Sequence, residues 1–477
     1  MKGFSSLIFA TSLLSTCTEC LQLQRRSDGP ARVVGLPIER KFVEDPVKRD
    51  RLRRRAGTVQ ASLDNEQTLY FANASLGTPA QTQRLHIDTG SSDLWVNTPE
   101  SSLCQGRTRP CLLAGSYSAN DSSTYEYIGS YFNISYVDGS GAAGDYVADT
   151  FTMGTATVSR LQFGVGYSSS SSEGILGIGY EINEVQVGRA GLAKYNNLPA
   201  QLVADGAIAS NAYSLWLNDL DASTGNILFG GVDTEKFEGE LTTLPIQAQS
   251  GVFAEFLVTL TAISLGGTVI ARNQAQAVLL DSGSSLTYLP DAIAEAIFEQ
   301  VGAQYDSTQE TAFVPCSIAS NSTTLDFTFS GTTIRVAMDE LVIQVTSTNG
   351  RPLTFSDGTR ACVFGVAPAG SSTAVLGDTF IRSAYLVYDL ANNEISIAQT
   401  TFNATATNVL EITTGSDSVP SATAVTNPVA ASQGLNEAPV AGVASRTSTR
   451  NVAQSTPAPL GFGAMAAVGA GLFYAAM

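Results

Sequence analysis

From about Leu69 to Thr400 the chain runs in short apolar stretches with alternating polar positions, broken every few residues by Gly, Asn, Asp or Ser. A period of two between frequent turn residues predicts many short strands and hairpins. Tyr131-Phe-Asn-Ile-Ser-Tyr-Val and Ala384-Tyr-Leu-Val-Tyr-Asp-Leu are two such runs. Helical spacing is scarce. Its clearest case is Asp291-Ala-Ile-Ala-Glu-Ala-Ile-Phe-Glu-Gln, with Asp291 placed to cap it. The expected fold class is therefore mainly β.

The pattern changes at both ends. Lys2, an apolar stretch from Leu7 to Leu14 and small residues after it read as a secretory signal over residues 1–20, too short for a spanning helix. Residues 21–55 form a basic propeptide with multibasic sites at Arg25-Arg26, Lys48-Arg49 and Arg53-Arg54-Arg55, so the mature chain is expected to start near Ala56. Such a segment is either a cationic plug that shuts an acidic cleft until low pH or cleavage frees it, or a leader that is simply trimmed. Residues 401–451 are rich in Ser, Thr, Ala, Val and Pro, and no aromatic residue occurs between Phe402 and Phe462. That composition predicts a stalk outside any packed core. No charged residue follows Arg450, and residues 452–477 read as a glycolipid-anchor signal that is removed. Asn451 leads as the attachment site, with Ser448 and Gly442 as alternatives.

Composition narrows the chemistry. With 477 residues, 44% hydrophobic and only 14% charged, the chain suits two folded lobes plus appendages. The boundaries expected are 56–243 for the first lobe and 244–400 for the second. The net charge is −17, but residues 1–55 hold 12 of the 26 basic side chains. The remainder carries 14 basic against 37 acidic groups, a net −23, which excludes nucleic acid and an anionic membrane surface as partners. The single histidine, His86, sits in a strand-like run, so no catalytic set or metal site that needs several histidines can be built. No metal or other cofactor is expected. Cys17 and Cys20 belong to the signal region. The four others, in an oxidising compartment, make two disulfides; chain order favours Cys104–Cys111 and Cys316–Cys362, with three pairings formally open. Asn73, Asn120, Asn133, Asn321 and Asn403 open glycan-acceptor sequons.

Two segments resemble each other: Ile87-Asp88-Thr89-Gly90-Ser91-Ser92-Asp93-Leu94-Trp95-Val96 and Leu280-Asp281-Ser282-Gly283-Ser284-Ser285-Leu286-Thr287. Either triplet alone is an ordinary turn. Each, however, has an apolar-apolar-Gly companion: Ile175-Leu176-Gly177 lies 87 residues after Gly90, and Val375-Leu376-Gly377 lies 94 after Gly283. The repeated arrangement signals a duplicated lobe and brings Asp88 and Asp281 to a shared axis. Two carboxyls in hydrogen-bond reach share one proton, so one can deprotonate a water while the other donates to a peptide carbonyl. Gly90 and Gly283 permit the tight turn and the approach of a peptide. Ser91 and Ser284, just beyond their aspartates, can hydrogen-bond the carboxylates and fix their orientation.

On these motifs the chain resembles the pepsin family of eukaryotic aspartic proteases from about Leu69 to Ala398. The resemblance implies a bilobal β fold with a cleft between two related lobes, polypeptide substrates, inhibition by pepstatin-type compounds, and a monomer. It also implies a flap hairpin over the cleft. Ile134-Ser-Tyr-Val-Asp-Gly-Ser-Gly141 matches it, making Tyr136 the flap tyrosine and Trp95 its indole partner. Asp138 is either a carboxylate near the pocket for the residue before the scissile bond, suited to Lys or Arg, or a turn aspartate. The propeptide, stalk and anchor signal resemble yapsin-like fungal cell-surface proteases, which implies attachment at the plasma membrane or cell wall through a lipid anchor. Only six residues, Arg107 and Arg109 among them, separate Cys104 from Cys111, and the acidic insertion of yeast members is absent. The expected specificity is therefore broad and apolar, with tolerance of Lys or Arg.

Overall fold

The computed structural model describes residues 31–41, 69–136, 140–222, 224–345 and 351–435. The fold is built on one pairing scheme used twice. In the first half, strand Leu69–Leu76 runs antiparallel to Gln81–Asp88, which runs parallel to Gly174–Gly177. That strand is antiparallel to Leu94–Asn97, which is parallel to Ala156–Ser169. In the second half, Leu257–Leu260, Gln276–Leu280, Ala374–Leu376, Thr287–Leu289 and Val366–Pro368 repeat the sequence of antiparallel, parallel, antiparallel and parallel contacts. The two apolar-apolar-Gly companions thus lie directly beside the strands that end in the aspartates: Asp88 faces Gly177, and Leu280 faces Leu376. These strands are buried on both faces, which is why they read as continuous apolar runs.

A sheet of fourteen strands links the halves. Its middle contains Ala384–Asp389, Ala212–Trp216 and Thr224–Phe229. Between Thr224–Phe229 and Leu69–Leu76 lies Val34–Lys41, a piece of the basic leader, antiparallel to both. Val34, Leu36 and Ile38 point into the core while Gly35, Pro37 and Glu39 are exposed. This stretch is a sheet strand, because its period-two pattern supplies a buried face. The multibasic sites at 48–49 and 53–55, and the signal at 1–20, lie outside the described residues.

Two expectations need correction. Asp291 does not cap its helix. The helix is Asp291–Val301 with Pro290 at the N-cap, and the Asp291 carboxylate accepts from Gly370 N–H at 2.8 Å. As the first helical residue it still sits favourably at the positive end of the dipole. The second correction concerns the stalk, part of which is held against the folded body between residues 401 and 435, with Ile412, Ser418 and Val419 buried although most of the segment is exposed. Val409–Glu411 pairs with Gly231–Asp233, and Ala422–Ala424 runs parallel to Phe237–Pro245. Ile412 is fully buried among Trp216, Phe237, Tyr385 and Val387. Lys236 Nζ donates to the carbonyls of Ala404 and Ala406 at 2.6 and 2.9 Å. A few well-spaced aliphatic residues on a Ser/Thr background suffice when a neighbouring sheet edge offers main-chain partners, and composition does not reveal that edge.

Both disulfides form as chain order favoured, Cys104–Cys111 and Cys316–Cys362. Asn73, Asn120, Asn133, Asn321 and Asn403 are all exposed.

Candidate active site

The site forms where the two repeated units meet. Asp88 ends strand Gln81–Asp88, and Asp281 immediately follows strand Gln276–Leu280. Their surroundings match group for group. Gly90 N–H donates to Asp88 Oδ1 at 2.9 Å and Ser91 Oγ to Oδ2 at 2.6 Å. Gly283 N–H donates to Asp281 Oδ1 at 2.8 Å and Ser284 Oγ to Oδ2 at 2.7 Å. Both carboxylates are completely buried by protein atoms. A Cβ placed on Gly283 would stand 2.5 Å from Asp88 Oδ1 and 2.9 Å from Asp281 Oδ1, and one on Gly90 would stand 2.6 Å from Asp281 Oδ1. The two carboxylates therefore converge on one point, and only glycine leaves the space between them open.

The residues after the aspartates clasp the halves together. Thr89 Oγ1 donates to the Leu280 carbonyl at 3.0 Å and accepts from Ser282 N–H at 3.0 Å. Ser282 Oγ donates to the Ile87 carbonyl at 3.0 Å and accepts from Thr89 N–H at 3.2 Å. This crossed set of four bonds explains why a hydroxyl residue follows each aspartate, a role that the sequence signals but pattern reading did not assign. Gly177 and Gly377 are also explained. A Cβ on Gly177 would stand 2.7 Å from Ser91 Oγ, and one on Gly377 2.3 Å from the Ser284 carbonyl.

The flap is a hairpin of Glu126–Ser135 and Gly141–Met153. Tyr136 N–H donates to the Ser140 carbonyl at 2.8 Å, and Trp95 Nε1 donates to Tyr136 Oη. Trp95 and Tyr136 thus meet as the resemblance implied. Asp138 and the turn around it lie outside the described residues, as does Asn451. His86 is a buried strand residue whose ring lies 5.6 Å from that of Phe71.

Sequence reading missed one carboxyl near the centre. Leu280 N–H donates to the Phe256 carbonyl, and the residue before it is Glu255. Gln249 Nε2 donates to Glu255 Oε2 at 2.9 Å. Burial pushes Glu255 up to about 7, with the nearby Asp281 charge adding to the effect. No motif surrounds Glu255, so only its position across from the strand of Asp281 discloses it.

A repeated pairing scheme, two converging carboxylates and a hairpin above them define an aspartic peptidase of two related lobes. The sequence model described as "Eukaryotic aspartyl protease" matches residues 69–400, and the chain belongs to that family. It is 58% identical over 419 residues to "Probable aspartic-type endopeptidase opsB" of Aspergillus oryzae, covering 86% of this chain and 85% of the relative. It is 51% identical to the OPSB protein of Arthroderma benhamiae over the full length of both. "Secreted aspartic protease 8" of Candida albicans is 39% identical, over 72% of this chain and 78% of its own. The crystal structure of the aspartic proteinase from Irpex lacteus covers 79% of this chain and all of its own, with a TM-score of 0.60 at 22% identity, and so shares the fold. The protein is an aspartic endopeptidase whose substrates are polypeptides.

Proposed function

We propose that Asp88 and Asp281 are the catalytic pair of a secreted endopeptidase tethered at the cell surface and working at acidic pH. The observation that carries this reading is the convergence of the two carboxylates across Gly90 and Gly283. Two acids so close hold one proton between them. The ionised partner takes a proton from a water, and the water oxygen attacks the peptide carbonyl carbon. The protonated partner donates to the carbonyl oxygen, which gives a tetrahedral diol. As the diol collapses the C–N bond breaks, the carboxyl that took the water proton gives it to the leaving nitrogen, and the other takes back a diol hydroxyl proton, releasing a carboxylic acid and an amine and restoring the shared proton. Gly90 and Gly283 N–H and the Ser91 and Ser284 hydroxyls hold each carboxylate in one orientation. Tyr136, held by Trp95, closes over the substrate.

Acidic operation is supported by carboxyls that burial keeps protonated, among them Glu255 and Glu184. Secretion is supported by the leader at residues 1–20, by two disulfides and by exposed sequon asparagines that can carry glycan. The tether rests on the tail after Arg450, with Asn451 as the attachment residue. Specificity is broad and apolar, with Asp138 admitting Lys or Arg before the scissile bond.

The test is casein hydrolysis by the processed, monomeric protein at acidic pH, with and without pepstatin. Pepstatin-sensitive cleavage is expected, and its absence refutes the catalytic assignment. Treating intact cells with a phosphatidylinositol-specific phospholipase should release the activity. Retention on the cells, or activity found only in the medium or the vacuole, overturns the tether while leaving the chemistry standing.

A further inference from the structure

Asp93 lies five residues after Asp88 in the same segment, yet the chemistry above does not use it. Its side chain is fully buried and accepts one hydrogen bond from each of three elements. The Tyr146 hydroxyl, on the second strand of the flap hairpin, donates at 2.6 Å. The Tyr195 hydroxyl, from the loop before helix Leu198–Ala204, donates at 2.9 Å. The backbone N–H of Val185, at the start of the short helix Val185–Gly188, donates to the other oxygen at 2.9 Å. The Asp93 carbonyl meanwhile accepts from Gly177 N–H at 3.1 Å, beside the Asp88 strand.

A second carboxyl adjoins this one. Glu184 is buried, its Oε2 accepts from Tyr195 N–H at 2.9 Å, and its Oε1 has no hydrogen-bond partner among the described residues. Among the described residues, the other charged groups facing the cluster are Glu181 and Lys194, paired with each other at 2.7 Å, and Arg189 beyond Tyr146. The flap rests on the same side chains. The Tyr146 ring lies 5.2 Å from that of Phe132 and 5.3 Å from that of Tyr131, and Trp95 follows Asp93 by two residues.

We propose that Asp93 is a positioning residue for peptide cleavage: with Glu184, Tyr146 and Tyr195 it forms a buried lock that fixes the flap hairpin against the Asp88 loop and lets go as the two carboxyls are made to carry charge. The proposal rests on the reading of Asp88 as catalytic. The physical basis is enclosure. Two carboxyls behind a wall of aromatic rings cannot both ionise. Asp93, with three donors, takes the charge more readily, although burial still raises it above the ordinary range. Glu184, with one oxygen lacking a donor, is pushed up to about 10, by burial first and by the Asp93 charge second. Both groups hold protons more tightly folded than unfolded. Their stabilisation is thus complete below the ordinary carboxylate range and is lost as pH rises. The lock is closed in acid and works loose toward neutrality, independently of the catalytic pair.

The test uses the processed enzyme and a peptide without ionisable side chains, with kcat and KM measured separately from pH 3 to pH 8. Asp93→Asn and Glu184→Gln remove one acid and keep the shape. In acid each should stay within about threefold of the parent, while the pH of half-loss of kcat/KM rises by about one unit or more. Tyr195→Phe removes a donor and should move that pH downward, chiefly through KM. A pH of half-loss that stays put in Glu184→Gln and Tyr195→Phe, or activity lowered equally at every pH, overturns the proposal. Should Asp93→Asn fail to fold, those two variants decide alone. Trp95 fluorescence, followed against pH in a Trp216→Phe background, reads the lock without catalysis. A parent that cleaves nothing while this signal still titrates refutes the Asp88 reading and not the lock.

Discussion

Asp88 and Asp281 differ from the other buried acids of this chain in converging on each other across Gly90 and Gly283, with four fixed donors between them. Replacing either by Asn keeps the shape and the Ser91 or Ser284 contact but removes the shared proton. Asp88→Asn and Asp281→Asn should each cut casein hydrolysis by about 10³-fold or more, with thermal unfolding within about 2 °C of the parent. A variant that retains a tenth of the activity would place the chemistry elsewhere. Glu255 behaves differently. Its folded value of about 7 lies above the ordinary one of 4.5, so its contribution is whole below pH 4.5 and falls as pH rises through 7. The cost at pH 7 is about 3 kcal/mol. Thermal melts at pH 4 and pH 7 should show that loss in the parent, and Glu255→Gln should be markedly less sensitive to pH. Equal sensitivity in both proteins would show that Glu255 ionises freely.

At the scale of elements, strands with clear alternation were legible. Ala384–Asp389 is legible as a strand directly, whereas Val34–Lys41 falls in the segment expected as a basic propeptide and its place in the sheet comes only from the tertiary structure. The segment after Thr400 was not legible, because its pairing partners, Gly231–Asp233 and Phe237–Pro245, lie more than 150 residues earlier. What it gains from them is main-chain hydrogen bonding and one deep anchor, Ile412. Ile412→Ala should lower the unfolding free energy by about 2–4 kcal/mol in denaturant titrations, without changing cleavage of a short peptide far below the midpoint. A loss under about 0.5 kcal/mol would mean that the strap does not hold. The ion pair of Arg32 with Glu411, at 3.0 Å, joins the leader strand to the strap, but the arginine is half exposed and the pair adds little.

For the whole molecule, stability depends on cross-links of unequal reach. Cys316–Cys362 closes 46 residues and Cys104–Cys111 only 7. Loop-closure entropy then assigns about 4 kcal/mol to the first and about 2 kcal/mol to the second. Paired Cys→Ser replacements, compared by equilibrium unfolding at acidic pH, should keep that order. The reverse order would mean that the short bridge holds native contacts that the entropy argument omits. The crossed bonds of Thr89 and Ser282 act at the same scale, since they make the two halves one frame for the carboxylates.

The sequence by itself determined the two aspartate motifs and their twofold repetition, because each motif is contiguous and its glycines and hydroxyls have local jobs. Asp88, Asp281, Gly90, Gly283, Ser91 and Ser284 could all be read within a dozen residues of chain. Tertiary structure alone decided what depends on distant partners. It turned the residue after each aspartate into a clasp and set Glu255 across from the strand of Asp281. It enclosed Asp93 with Glu184, 91 positions away, and gave a Ser/Thr-rich tail a sheet edge to bind. Burial and charge coupling are properties of neighbourhoods, and a linear pattern carries no record of which neighbourhoods the fold will create.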